Sequence, residues 1–251
     1  MTSNGPSSGS FSLEEDRIRA AYAKRKHDLR YSLFNPGHLF EVQERERRFL
    51  ILLARHGFAP LNIKKILEIG CGTGYWLREF IRWGAQPENI TGVDLLSDRV
   101  AEAKRLCPEA ITVECGSAAE LVFPNETFDL VLQSTVFTSV LDREMKQHLA
   151  AEMLRVVKQE GLILWYDYHV HNSQNPDVRG VKRREIYRLF PGCWIELRRI
   201  TLAPPITRLI APYSWLVCYL LGRIPFLCTH YLGVIQKRTT IADPISTIPR
   251  P

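Results

Sequence analysis

The chain has 251 residues, 45% hydrophobic and 24% charged, a composition that suits one large soluble core and excludes low-complexity and collagen-like polymers. Its formal net charge is +6, but the basic residues lie in short clusters (Lys24-Arg25-Lys26, Arg45 to Arg48, Lys182-Arg183-Arg184). That is the pattern of solvated helix faces, so no nucleic-acid partner is expected.

Residues 1–11 are rich in Ser and Gly and cannot bury apolar surface, so a disordered tail is expected there. The segment also lacks an apolar signal core, which makes a cytoplasmic location the expectation. Leu13 to His27 reads as a basic helix. Leu29 to Gly37 follows as an aromatic segment closed by Pro36 and Gly37, and Leu39 to His56 as a second helix with Gly57 as its stop.

Ile66-Leu67-Glu68-Ile69 is an apolar, β-prone run that stops at Gly70, Gly72 and Gly74, and an apolar periodic segment, Trp76 to Trp83, begins at once. This is a strand, a tight turn and a helix start, the arrangement that brings backbone close to a nucleotide-like ligand. The third glycine comes one residue earlier than in the dinucleotide fingerprint, and Tyr75 fills the place that pattern gives to glycine. Glu68-Ile-Gly70-Cys71-Gly72-Thr-Gly74 resembles motif I of the class I S-adenosylmethionine-dependent methyltransferases.

Asp94 closes a second strand-like run, Asn89 to Asp94, about 20 residues past the glycines, where a carboxylate can accept both ribose hydroxyls. The resemblance implies that Glu68 lies near the cofactor's methionine end, with Gly70, Cys71, Gly72, Gly74, Asp94 and Leu95 as further cofactor contacts. It also implies that a helical N-terminal lid folds over the cofactor, so that Tyr22 and Tyr31 would touch cofactor and Phe34 substrate.

Beyond Asp94, helix and strand patterns alternate, as parallel sheets require. Ser97 to Leu106 reads as a helix with Ser97 as its N-cap. Ile111 to Glu114 is a short strand ending at Gly116-Ser117-Ala118, and the resemblance implies that these small residues flank the cofactor's adenine ring. Phe128 to Gln133 resembles the family's fourth strand, placing Gln133 and Ser134 at the ligand-bearing edge and Phe137 beside the substrate.

Arg143 to Val157 is an amphipathic helix. Lys158 to Gly161 reads as a turn, and Leu162 to Tyr168 as a fifth, buried strand. After it come Tyr168, His169, His171 and Asn172, in a loop at that same edge. His169 and His171 are the candidates for a base near neutral pH, with Tyr168 and Asn172 as substrate contacts. Their spacing invites a metal reading too, but no Cys, Asp or Glu at ligand spacing completes a site, so no metal is expected.

Val181 to Phe190 reads as a helix, and Trp194 to Ile200 and Tyr231 to Lys237 as the last strands. Between these strands, Leu202 to Cys228 is longer than a hairpin needs and rich in apolar residues, with Trp215 a further substrate contact. Arg208, Pro212, Arg223 and Pro225 break it below the roughly 20 apolar residues a membrane span requires. A helical apolar cap is expected instead, leaving open contact with a membrane surface or a second subunit. Residues 239–251 are expected to form a second disordered tail. The six cysteines contain no C-x-x-C pair and read as reduced, buried small residues.

The expected architecture is α/β: a Rossmann-like seven-stranded, mostly parallel sheet with helices on both faces. Residues 12–60 would form the lid and 61–238 the methyltransferase domain, with 202–228 as the insertion. The resemblance implies methyl transfer from S-adenosylmethionine to an O, N or C nucleophile of a small, fairly apolar molecule in a biosynthetic pathway. An NAD(P)-dependent oxidoreductase and a non-catalytic partner- or membrane-binding relative are the alternatives.

Overall fold

Seven strands form one sheet: β1 (Ile66–Ile69), β2 (Ile90–Asp94), β3 (Thr112–Cys115), β4 (Phe128–Ser134), β5 (Val157–Tyr168), β6 (Trp194–Leu202) and β7 (Cys228–Gln236). In this computed structural model, which describes residues 11–25, 29–172 and 175–238, the strand order is β3-β2-β1-β4-β5-β7-β6. The first five strands run parallel, and β7 is antiparallel to both β5 and β6. The chain leaves β1 toward β2 on one side, while β4 lies on the other. Their carboxyl ends therefore flank the crevice where open α/β sheets hold ligands.

The central strands are mostly apolar because both faces are covered. On one face Leu67, Ile69, Val131 and Trp165 pack against Met145, Leu149 and Met153 of α5 (Arg143–Val156) and Ile186 of α6 (Arg183–Leu189). On the other, Ile66, Leu130, Leu132 and Tyr166 meet Phe49 and Leu53 of α2 (Pro36–Arg55), Trp76 and Phe80 of α3 (Tyr75–Arg82), and Ala103 of α4 (Ser97–Leu106). Phe49 is fully buried and stacks on Trp76 at 4.5 Å.

Local chemistry sets the helix starts. Asn35 caps α2 by accepting the Gly37 and His38 N–H groups at 3.0 and 3.3 Å, with Pro36 in the first helical position. Asp142 caps α5 through the Met145 N–H at 2.7 Å. Ser97, expected as a cap, is instead the first helical residue of α4 and makes no cap bond. The Asp94 carboxylate occupies that corner, accepting the Leu96 N–H at 2.9 Å.

The expected turn at Lys158 to Gly161 lies within β5. Its pairing jumps from Phe128↔Val157 to Leu130↔Leu162, so the extra residues form a bulge and not a connection. α1 spans Ser12–Ala23, shorter than the expected Leu13 to His27, whose last residues lie outside the described set. Residues 1–10 and 239–251 of the expected tails also lie outside it. Phe11, counted with the first tail, is buried against His148 with ring centroids 5.0 Å apart.

The insertion between β6 and β7 holds α7 (Pro204–Ile210), α8 (Trp215–Leu221) and a 3₁₀ turn at Pro225–Leu227. Phe40 of α2 packs with Leu202, Ala211 and Cys218, fixing the insertion to the N-terminal segment. Among the described residues no helix is long and apolar enough to cross a membrane.

Candidate active site

The turn after β1 is held by backbone bonds. The Gly70 and Cys71 N–H groups donate to the Val93 carbonyl at 2.7 and 3.1 Å, and Gly74 N–H to the Cys71 carbonyl at 2.9 Å. Two of the glycines have different physical reasons. Gly72 has φ +53°, and a Cβ there would find only Arg99 Nη1, at 3.6 Å, so it faces open space. Gly74 has φ +75°, and its Cβ would stand 2.6 Å from Cys107 Sγ. The early third glycine therefore serves close packing of α3 against α4, and Gly72 keeps backbone bare toward a ligand.

Two carboxylates meet under this turn. Asp94, at the end of β2, accepts the Gly72 N–H at 2.8 Å through Oδ2 and the Leu96 N–H through Oδ1. Glu68 is 2% exposed, and its Oε2 is buried with no hydrogen-bond partner. Burial, reinforced by the neighbouring Asp94, pushes the Glu68 pKa well above the usual carboxylate range, with Arg78 opposing. An orphaned buried acceptor beside a second carboxylate is a site for a cation or hydrogen-bond donor and repels a pyrophosphate. S-adenosylmethionine, with an ammonium and a sulfonium, fits that donor set.

The cavity beside the turn is lined by Gly70, Asp94, Leu95, Gly116, Ser117, Ala118 and Ser134 from the sheet edge. Tyr22 closes it from α1, joined to Ser139 by a hydroxyl–hydroxyl contact of 3.2 Å. These sequence-selected residues come from five separate stretches of chain. The cavity adds residues that sequence reasoning missed: Ile18, Arg25, Arg99, Thr135, Val136 and Ser139. Arg25 and Arg99 lie over the Tyr22 ring at 3.6 and 4.6 Å from its centroid. Thr135 holds φ +61°, a strained conformation at the carboxyl end of β4.

Other selected residues lie elsewhere. Cys71 is buried in the core on the α3 side, and burial raises its thiol pKa. Gln133 is fully buried, donating to the Tyr166 carbonyl and accepting the Val136 N–H. Tyr31 is exposed and edge-on to His38, and Phe34 is 99% exposed.

Phe137 is a correction. It is wholly buried between Trp165 and Phe190 and belongs to the core, away from the cavity lining. His169 is corrected as well: its imidazole is buried, with Nε2 2.9 Å from the Cys228 carbonyl, and its pKa is lowered mainly by burial. It anchors β5 to the insertion. His171 and Asn172 are exposed on the loop after β5. Tyr168 is partly buried, its ring 3.7 Å from that of His230. Trp215 stands edge-on to Phe40 of α2 and does not line the cavity.

Comparison with known proteins agrees with this geometry. Residues 66–161 match the "Methyltransferase domain" family. An uncharacterized protein of Haemophilus influenzae is 34% identical over 141 residues, 54% of each chain. The ubiquinone biosynthesis O-methyltransferase of Bartonella bacilliformis is 29% identical over 135 residues, 52% of this chain and 51% of that one. The chain thus spans about half the length of the curated relatives it matches. A crystal structure of a SAM-dependent methyltransferase from Archaeoglobus fulgidus superposes with a TM-score of 0.58 at 18% identity, covering 78% of this chain and 93% of that chain. Its likeness is one of fold. Residues 66–161, which carry the glycine turn and its paired carboxylates, are thus similar to a methyltransferase domain.

Proposed function

We propose that the chain transfers the methyl group of S-adenosylmethionine to a nucleophilic atom of a small, fairly apolar acceptor. The observation that carries this reading is the unpartnered Glu68 Oε2 beneath the Gly70–Gly74 turn, beside Asp94. In this reading Glu68 meets the cofactor's ammonium, Asp94 its ribose hydroxyls, and Gly116 to Ala118 its adenine. Tyr22 and Ile18 of α1 close the cavity, acting as the lid. A nicotinamide dinucleotide would bring two phosphates to the same turn, against the buried carboxylates.

The bound cofactor supplies an activated methyl group on a cationic sulfur. The residues here need only hold the acceptor in line, keep water out and orient its nucleophile. The acceptor would approach over the carboxyl ends of β4 and β5, where Ser134 pairs with Tyr166 and Tyr168 stands two residues further out. The H. influenzae and B. bacilliformis relatives cover only half of this chain, so the acceptor is proposed from the site alone. Its test is a turnover screen of phenols, quinols, carboxylic acids and amines, read by release of S-adenosylhomocysteine. Release with a member of the panel, abolished by Gly72→Val, supports the reading; cofactor binding with no turnover of any acceptor class counts against it.

A further inference from the structure

The corner formed by α7, α8 and the start of α2 presents large apolar side chains to solvent. Leu209, Tyr213, Leu216, Leu220 and Phe226 are 71, 87, 67, 55 and 78% exposed. Successive residues of a helix turn by about 100°, so Leu216, Val217 and Leu220 share one arc of α8. The buried Cys218 lies on the opposite side. The arc is therefore an outward face and not the flank of a packed helix.

The N-terminal segment contributes to the same corner. A Cβ on Gly37 would stand 2.8 Å from the Arg208 Cα, so the two backbones touch. Phe34, 99% exposed, precedes Gly37 by three residues, within about 11 Å of chain. Segments about 170 residues apart in sequence, at Gly37 and Arg208, thus meet at a corner that carries uncovered apolar side chains, and scattered single exposures do not make such a cluster.

Charge selects the occupant. From Leu197 to Arg238 the sequence has no Asp or Glu but six basic residues: Arg198, Arg199, Arg208, Arg223, Lys237 and Arg238. Arg208 and Arg223 sit within the apolar segment itself, one in α7 and one just past α8. Tyr213 and Trp215 are ring types that settle at a membrane–water interface, and Phe226 and Phe34 suit the apolar face of an interfacial surface. Exposed apolar residues among cations, with no helix able to span a bilayer among the described residues, are the makings of an interfacial surface.

We propose that this corner docks on an anionic lipid bilayer, with Phe34, Leu209, Leu216, Leu220 and Phe226 in the headgroup layer and Arg208 and Arg223 on lipid phosphates. The proposal does not rest on methyl transfer, and its test uses no turnover.

The test is co-sedimentation of the full chain with vesicles of phosphatidylcholine, alone or mixed with phosphatidylglycerol, at low and high salt. The wild type binds the anionic vesicles, and high salt weakens that binding. Leu216→Ser/Leu220→Ser lowers the affinity about tenfold or more, while its melting temperature and S-adenosylhomocysteine affinity stay near wild type. Arg208→Gln/Arg223→Gln removes most of the preference for anionic over neutral vesicles. If the α8 pair fails to fold, Phe34→Ser/Phe226→Ser, on two turns, takes its place with the same expectation. Failure of the wild type to sediment with anionic vesicles overturns the proposal, as does equal binding by the folded variants. A concentration-dependent dimer weakened by these variants, without vesicle binding, assigns the face to a second copy instead.

Discussion

Asp94 Oδ2 lies 2.8 Å from the Gly72 backbone nitrogen, so the end of β2 braces the turn after β1. One side chain joins the two halves of the site. Gly72 can present bare backbone to a ligand only while the turn keeps this shape, and the carboxylate has lone pairs left for further donors.

Asp94→Ala removes that brace and, on the proposed reading, the ribose acceptor with it. It is expected to weaken S-adenosylhomocysteine binding by about 1–3 kcal/mol, the range for losing charge-assisted hydrogen bonds. Circular dichroism should show the fold retained. Gly72→Val should weaken binding further, because a branched side chain at φ +53° is strained and also fills the open space. Calorimetry on the folded variants checks both; unchanged affinity in Asp94→Ala would remove Asp94 from the site.

Glu68 gives a prediction in pH. Burial and Asp94 raise its pKa in the free protein. A cation placed against Oε2 favours the ionised form, so binding S-adenosylmethionine should release a proton and tighten as pH rises toward the raised pKa. Titration in buffers of different ionisation enthalpy should show this release in the wild type and not in Glu68→Gln. Identical proton counts for the two would mean that Glu68 does not face the bound cation.

Much of this site was legible because its signals are local. The glycine spacing, the acidic residue ahead of it and Asp94 at the next strand end are short-range patterns, and backbone geometry alone brings them together. The alternation of helix and strand segments likewise announced a parallel sheet. Arg25, Arg99 and Ser139 were not legible, because their place depends on how α1 crosses the sheet edge. A polar residue carries no mark in the sequence of what lies opposite.

Phe137 and His169 misled for the same reason. Each follows a strand that ends at the ligand-bearing edge, yet each side chain turns inward, Phe137 onto Trp165 and His169 toward the Cys228 carbonyl. Chain position locates the edge but does not fix side-chain direction.

The contact between α2 and α7 should be sensitive to Gly37. A Cβ there would meet the Arg208 Cα at 2.8 Å and its nitrogen at 2.9 Å, both backbone atoms that cannot swing away. Gly37→Val is therefore expected to destabilise the fold by about 1–3 kcal/mol, as overpacking does. Urea unfolding of the variant checks this, and a midpoint equal to wild type would show that the contact yields freely.

His230 predicts acid sensitivity. It is 3% exposed, stacks on Tyr166 at 4.6 Å and contacts Thr229 Oγ1 through Nδ1 at 3.0 Å. Burial, with Arg45 and His169 adding to it, holds its pKa well below that of a free imidazole. The unfolded chain therefore takes up this proton first as pH falls. The stability due to the neutral ring is complete above about pH 6.5 and declines below it. His230→Phe keeps the stacked ring but cannot titrate, so its melting temperature should fall less than that of wild type between neutral pH and about pH 5. Parallel pH curves for the two proteins would assign the acid sensitivity to other groups.

On the proposed reading, the glycine turn and its two carboxylates serve a cationic adenosyl ligand and not a dinucleotide. Isothermal calorimetry of the full chain against S-adenosylmethionine, S-adenosylhomocysteine, NADH and NADPH tests it most directly. Saturable one-site binding of both adenosyl compounds, with no measurable heat from either dinucleotide, is the predicted result. Binding of NADH or NADPH without binding of S-adenosylhomocysteine would contradict the account.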